Sequence, residues 1–399
     1  MVLVDSGLRT RYLTISFLST MQTPRWVRSV AFGLVLLLPC HAAAVEFVFV
    51  GTRQVGMGGA GVAATFDATA GYWNPAALAM SKKGDVRLQG TLGAVDRGDF
   101  FDRIKEINQF NFNDASAANQ ARLQYLVNEI NKPTTNLSGA ASGGFYLKAN
   151  FGEHAIGFNV ADIATGGAFT STAATVTGAP GNQTVNGQFG LNGLEARQAA
   201  ISYAYAFADR MFSIGITGKY IQGAAYTGTT NISGASDDIK IFDDLGRAKI
   251  TSALSIDLGA MYRPSSWLRF GVVAKDITAP TFDAPNGERF KLDPQVRAGM
   301  AVNPYSSLTL SADVDITSNK TLTPGVKSQF LSLGAEQTIL SELLSFRVGA
   351  FKNMQDAQTP FIPTAGFGLR LLALRIDIGG GYDFRDQAAL ASGSIGMTF

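Results

Sequence analysis

Beyond its leader this 399-residue chain has no cysteine; the one cysteine, Cys40, falls before the expected cleavage site. That excludes disulfides, a thiol nucleophile and a cysteine-held metal from the mature protein. Histidine is almost as scarce: of two, His41 belongs to the leader, and His154 alone is left for imidazole chemistry. Charge is thin as well, at 16% of residues, where soluble domains carry about 25%. Past the leader no apolar run reaches the length of a spanning helix. A formal net charge of +2 is too small to draw in nucleic acid. No spacing of residues suggests a cofactor.

What is present is glycine, 44 residues, and phenylalanine, 27 residues, within a composition that is 46% hydrophobic. Low charge, abundant glycine and aromatics, and no spanning helix together describe a membrane β-barrel. A barrel satisfies its backbone hydrogen bonds between strands and needs no long apolar run. The start of the chain fits export. Met21 is a plausible true start, with residues 1–20 an over-extension. Arg25 and Arg28 form a basic region, Val30 to Leu38 an apolar core too short to span, and Ala42-Ala43-Ala44 a small-residue cleavage site. Cleavage is expected at Ala42 and Ala44, so that residues 1–44 are a signal peptide. Pro39 stands where a lipid-attachment box wants a small residue, which argues against lipidation of Cys40.

From residue 84 to Phe399 short segments alternate apolar and polar side chains with period two. The clearest is Leu308-Leu310-Ala312-Val314-Ile316, with Thr309, Ser311, Asp313 and Asp315 on the other face. About 14 such segments follow one another, and their connections alternate short and long. That is the layout of an antiparallel transmembrane barrel with short periplasmic turns and long outer loops. An even count returns both ends to the periplasmic side. Aromatics beside the short turns, Phe207, Phe212, Tyr262, Trp267, Tyr305 and Phe346, suit an interfacial girdle. The period changes once. Phe101, Ile104, Ile107 and then Leu123, Leu126, Val127, Ile130 recur at helical spacing, which predicts a short helical insertion over about 100–132 in the first outer loop. Its apolar faces need a cover and suggest a capture groove for an apolar solute.

Residues 45–83 stand apart from this pattern. Gly51 to Ala79 reads GTRQVGMGGAGVAATFDATAGYWNPAALA, rich in small residues and without a lasting period. Gly56, Gly58, Gly59 and Gly61 match the literal G-x-G-x-x-G pattern. A dinucleotide site would also need a helix after the glycines and an acid about 20 residues on, within a βαβ unit. Asp67 comes too early and Pro75 breaks the helix, so the glycines instead permit a tight path for a compact plug, or hatch, inside the barrel. The stretch ends in Tyr72-Trp73-Asn74-Pro75-Ala76. There Pro75 fixes its own backbone and disfavours helix at Asn74, whose side chain can hold a turn.

This stretch resembles the N-terminal signature of the FadL-like superfamily of outer-membrane proteins. The run Lys291-Leu292-Asp293-Pro294-Gln295-Val296-Arg297-Ala298-Gly299 and the run Ala312-Asp313-Val314-Asp315-Ile316-Thr317 are similar to a narrower branch, the plasmid-transfer TraF-like outer-membrane proteins. The resemblance implies a 14-stranded barrel with an internal hatch that includes Asn74-Pro75-Ala76, and passage of hydrophobic molecules across the outer membrane. The end of the chain, Ile395, Met397 and Phe399, resembles the terminal signature of bacterial outer-membrane barrels, which implies recognition by the barrel-assembly machinery.

Two functional readings stay open. One is a passive channel or transporter for a small hydrophobic ligand in the outer membrane of a Gram-negative cell. The other is a structural or docking component of an envelope assembly such as a conjugal-transfer apparatus, with an envelope protein as partner. In both the chain is surrounded by outer-membrane lipid. An enzyme would need a nucleophile with a base in reach, and His154 reads instead as a solvated turn residue. Asp237, Asp238, Asp243 and Asp244 lack the spacing of a calcium loop and read as solvated loop charge.

Overall fold

The computed structural model describes residues 48–232, 246–356, 360–383 and 388–399. The expected signal peptide with its cleavage site, and the four aspartates between 237 and 244, lie outside them.

Eighteen strands form among the described residues: β1 Asp85–Arg97, β2 Asn136–Phe151, β3 His154–Thr177, β4 Thr184–Phe207, β5 Phe212–Asn231, β6 Lys249–Ser265, β7 Leu268–Lys275, β8 Thr281–Asp283, β9 Arg289–Lys291, β10 Gln295–Tyr305, β11 Leu308–Asp315, β12 Asn319–Lys320, β13 Lys327–Ser328, β14 Phe330–Ile339, β15 Leu344–Asn353, β16 Ile362–Leu371, β17 Leu374–Asp383 and β18 Ala388–Thr398. Fourteen of them close into an antiparallel barrel in which β1 pairs with both β2 and β18, as the alternation predicted. β8–β9 and β12–β13 are small hairpins within the outer loops. The end of the chain seals the seam: the Gly84 N–H donates to the Phe399 carbonyl at 2.8 Å and the Phe399 N–H to the Gly84 carbonyl at 3.0 Å.

The period-two pattern sorts side chains to the two faces. Phe158, Ile201, Ile214, Leu258, Phe270, Leu333, Val348 and Ile378 point outward and are exposed, a lipid-facing band. Ser202, Thr217, Asp257, Arg297, Asp313, Glu336, Arg347 and Asp377 point inward and are buried. At the short-turn end the rings of Phe207, Phe212, Tyr262 and Phe270 stack in succession across four strands, with centroids 5.5, 4.8 and 6.5 Å apart. Three of the expected girdle aromatics, Phe207, Phe212 and Tyr262, are thus brought side by side by register, with Phe270 extending the row.

The wall is uneven. β3 and β4 have 24 residues each, whereas β7 and β11 have 8. Crossing a bilayer takes about 9–11 residues, so the far ends of β2 to β6 stand beyond the lipid band as a raised wall. Elements pack on both of its faces. The hairpin β8–β9 turns over the lumen and buries Phe282 and Phe290 against Leu194, Ile221 and Ala225 on the inner face. The loop carrying β12–β13 also reaches the inner face, where the Asn192 side chain donates to the Leu322 carbonyl at 2.9 Å.

Two helices, α3 Phe100–Asn108 and α4 Ala117–Ile130, form the expected insertion. (Helices α1 Thr52–Gly56 and α2 Ala70–Trp73 precede them, in the N-terminal segment.) Ser116 caps α4 by accepting from the Asn119 N–H. Their apolar residues Phe100, Ile104, Ile107, Leu123, Leu126, Val127 and Ile130 are buried against Ala168, Val185, Phe189 and Leu191 of the raised wall. Leu137, Ala168, Phe189 and Leu191 continue the outward parity of Phe145, Phe158 and Tyr203. The helices therefore lie on the outer face of the wall. The expected capture groove is not open: the wall already covers the apolar faces, because its strands run on past the lipid.

Candidate functional site in the lumen and its outer mouth

Residues 48–83 occupy the lumen. They contain α1 Thr52–Gly56, α2 Ala70–Trp73 and a 3-10 helix over Pro75–Met80, each too short to stand alone in water. The wall holds them. Arg53 grips Glu336 of β14 with two nitrogens, Nε to Oε2 at 2.9 Å and Nη2 to Oε1 at 2.7 Å. Asp313 of β11 accepts the Gly61 and Val62 N–H groups on one oxygen, at 2.7 and 2.8 Å. Asp85 of β1 accepts the Ala68 N–H at 2.9 Å. Lys148 of β2 donates to the Phe66 carbonyl at 2.7 Å, and Ser213 of β5 to the Ala76 carbonyl at 2.7 Å. These partners come from five strands spread around the barrel.

Ion pairs continue from the segment into the wall. Glu336 also takes Arg347 at 2.6 Å, Arg347 meets Asp377 at 2.8 Å, and Asp377 meets Arg87 at 3.3 Å. Arg87 then faces Asp67 of the segment at 3.7 Å, which brings the chain of charges back to where it began. Burial works against the charge of Arg53, but the Glu336 carboxylate outweighs it and the guanidinium holds its proton more tightly than usual. Burial likewise pushes the Asp67 carboxyl up, yet the Arg87 charge and the Thr69 hydroxyl pull it below the ordinary carboxylate range.

Backbone meets backbone where the segment touches the wall. A Cβ placed on Gly334 would lie 2.5 Å from the Met57 carbonyl oxygen, and one on Gly271 would lie 2.9 Å from that of Val62. On the other side of the contact, Gly58 has φ 65°, and a Cβ there would come within 2.6 Å of the Ala350 backbone. Wall and segment thus both use glycine where the chains approach most closely.

The motif residues lie within this seat. Asn74 caps the 3-10 helix: its Oδ1 accepts the Ala76 N–H at 3.1 Å, and its Nδ2 donates to the carbonyls of Val62 and Ala260, both at 3.2 Å. Pro75 opens that helix, and Ala76 is fully buried. Tyr72 donates to the Val48 carbonyl at 2.8 Å and Trp73 to the Val50 carbonyl at 2.6 Å, which ties the two ends of the segment together. Burial raises the Tyr72 phenol well above its usual range. Gly56 ends α1, and Gly61 packs under the Trp73 ring. Gly59, at φ 80°, turns the chain beneath Phe49. Ile395, Met397 and Phe399 face outward and are exposed. His154 is the first residue of β3, exposed, with its Nδ1 2.7 Å from the Tyr203 hydroxyl. The turn itself is Gly152-Glu153.

The sequence reading named none of Arg53, Asp67, Asp85, Glu336, Arg347 or Asp377 as site residues. The one available signal was charge on the inward parity of otherwise apolar strands.

Besides the ion pairs, a buried apolar cluster joins the segment to the wall. Phe49 lies edge-on to Phe330 and Phe351, with centroids 6.2 and 5.0 Å away, and stacks on Trp73 at 6.3 Å. At the long-loop end a cavity of about 660 Å³ opens between the raised wall and the inner hairpins. Thr227, Thr229, Asn192, Asn286 and Glu288 contribute to its lining, along with Phe169. Among the described residues no group of three or more histidine, cysteine, aspartate or glutamate side chains is placed to hold a metal ion.

The fold has solved relatives. The TodX deltaS2S3 mutant monoaromatic hydrocarbon channel superposes with a TM-score of 0.55 at 10% identity, over 88% of this chain and 99% of that one. The Ralstonia pickettii toluene transporter TbuX gives 0.50 at 14% identity, over 88% and 97%. No curated protein sequence matches. These likenesses show the fold, a closed barrel of the kind those channels have. A family model described as F plasmid transfer operon, TraF, protein matches residues 71–315, well over half of the sequence. The chain therefore belongs to the family described as F plasmid transfer operon, TraF, protein, with a 14-stranded closed barrel as its fold.

Proposed function

We propose that the protein sits in the bacterial outer membrane and lets small apolar molecules through it passively, without enzymatic chemistry. The observation that carries this reading is the aromatic interior formed by Phe49, Trp73, Phe330 and Phe351. A water-filled porin lumen is polar, whereas here a packed aromatic cluster fills part of the interior, and passage requires residues 48–83 to shift and uncover it to an apolar solute. Residues 48–83 then act as a plug, and the Asn74-Pro75-Ala76 turn as its hatch. Outward-facing Ile395, Met397 and Phe399 serve as the signal read by the barrel-assembly machinery. The hydrocarbon channels similar in fold support an apolar, monoaromatic cargo.

Toluene uptake by cells that express the barrel tests the idea. Expressing cells should take it up faster than control cells, and Phe330→Asp should remove the difference while the barrel still assembles. Equal uptake with and without the protein would refute it.

The family match favours a second reading, a docking part of a transfer assembly. In that case crosslinking in cells should trap one defined envelope protein.

A further inference from the structure

The outer mouth has a chemistry of its own. Thr227 and Thr229 carry no side-chain hydrogen bond among the described residues, although both line the cavity. Asn192 spends its amide N–H on Leu322 and keeps Oδ1 as an acceptor. Asn286 accepts the Glu288 N–H on Oδ1 and keeps its amide N–H groups as donors. Glu288 adds a carboxylate that makes no ion pair among the described residues. Phe169 lies over Gly190, since a Cβ there would be 2.9 Å from the ring.

A hydrocarbon resting here would strip these groups of water and return no hydrogen bond, at a cost for each group covered. A charged ligand is matched no better, because most of the lining is neutral. Two hydroxyls, a free amide acceptor, a free amide donor and an acceptor carboxylate around one aromatic ring instead match a molecule with many hydroxyls and apolar C–H faces. The volume lies within the usual range for small-molecule sites, roughly 300–1,000 Å³. We propose that the outer mouth binds a neutral, hydroxyl-rich ligand, a short saccharide. Phe169 would pack on a sugar face while Thr227, Thr229, Asn192, Asn286 and Glu288 take its hydroxyls. Such a sugar reaches the mouth either as a free oligosaccharide or as the carbohydrate part of a membrane glycolipid. This site is separate from the apolar interior and does not depend on apolar passage.

The test uses the detergent-purified full barrel, titrated by calorimetry. One arm uses a panel of neutral di- and trisaccharides, and the other the oligosaccharide released from outer-membrane glycolipid. A response in the first arm alone identifies a free sugar, and a response in the second alone a glycolipid source. Thr227→Val with Thr229→Val should weaken binding about tenfold, as expected for two lost hydrogen bonds. Asn286→Trp, in an exposed turn, should abolish it by filling the mouth. Heat-dependent migration in gels checks that each variant is folded. Should either change prevent folding, Glu288→Gln, which keeps the shape of the side chain, should still weaken binding severalfold. Silence in both arms overturns the proposal, and so does binding that folded Asn286→Trp leaves intact.

Discussion

Arg53 and Glu336 stand 283 positions apart in sequence and meet in a two-nitrogen ion pair between the lumenal segment and the wall. Both are largely buried, with 14% and 8% of their side-chain surface exposed. Removing one partner of such a pair leaves the other charged and unmatched, at a cost of about 3–5 kcal/mol. Arg53→Ala should therefore loosen residues 48–83 while the barrel still runs as a folded species in gels. Faster amide exchange over that stretch is the measurement, and unchanged exchange would show that the pair does not hold the seat. Arg53→Lys should recover only part of the protection, since an ammonium cannot reproduce the fork.

Gly349 packs against the segment at Met57 and Gly58, where an added Cβ would meet the Gly58 backbone nitrogen. Gly349→Ala should cost about 1–3 kcal/mol through overpacking and appear as faster exchange at Met57 to Gly59. Gly218 of the same barrel has open space around it, and Gly218→Ala should leave those amides as they were.

The Asp67 carboxyl is depressed below its ordinary value of 3.8. A depressed acid stabilises the folded form at every pH above that value, and the contribution is lost as pH falls through the lower, folded value. The contribution of Asp67 should be constant between pH 7 and 5 and be lost only in stronger acid. Trp73, fully buried, reports this through its emission once Trp267 is replaced by Phe. Asp67→Asn should flatten that acid transition; a variant that keeps the wild-type curve would assign it to another group.

Phe189 stacks edge-on with Phe100 at 5.4 Å and is buried where α3 and α4 cover the raised wall. Phe189→Ala should cost about 3–5 kcal/mol, confined to the insertion. Residues 100–130 should become sensitive to protease while barrel migration in gels stays normal. Loss of the whole barrel would mean that the helices support closure.

The outward faces were legible early. Leu308 to Ile316 and their counterparts alternate so regularly that strand number and closure followed, and helical spacing of Phe101 to Ile130 marked the insertion. Asn74 and Pro75 read as a turn because their effect is local. The grip on that turn was not legible. Nothing near Ala260 in sequence points to Asn74, nor anything near Asp313 to Gly61, because those contacts exist only once the wall has closed.

The sequence by itself determined the barrel, its strand count, the helices and the two-faced strands, since each is a periodicity that neighbouring residues carry together. Only the tertiary structure decided where the N-terminal segment rests, which carboxylate answers which arginine, what covers the helices and which groups remain free at the mouth. A buried charge takes its partner from whatever closure brings within reach, and closure joins residues that local pattern cannot relate.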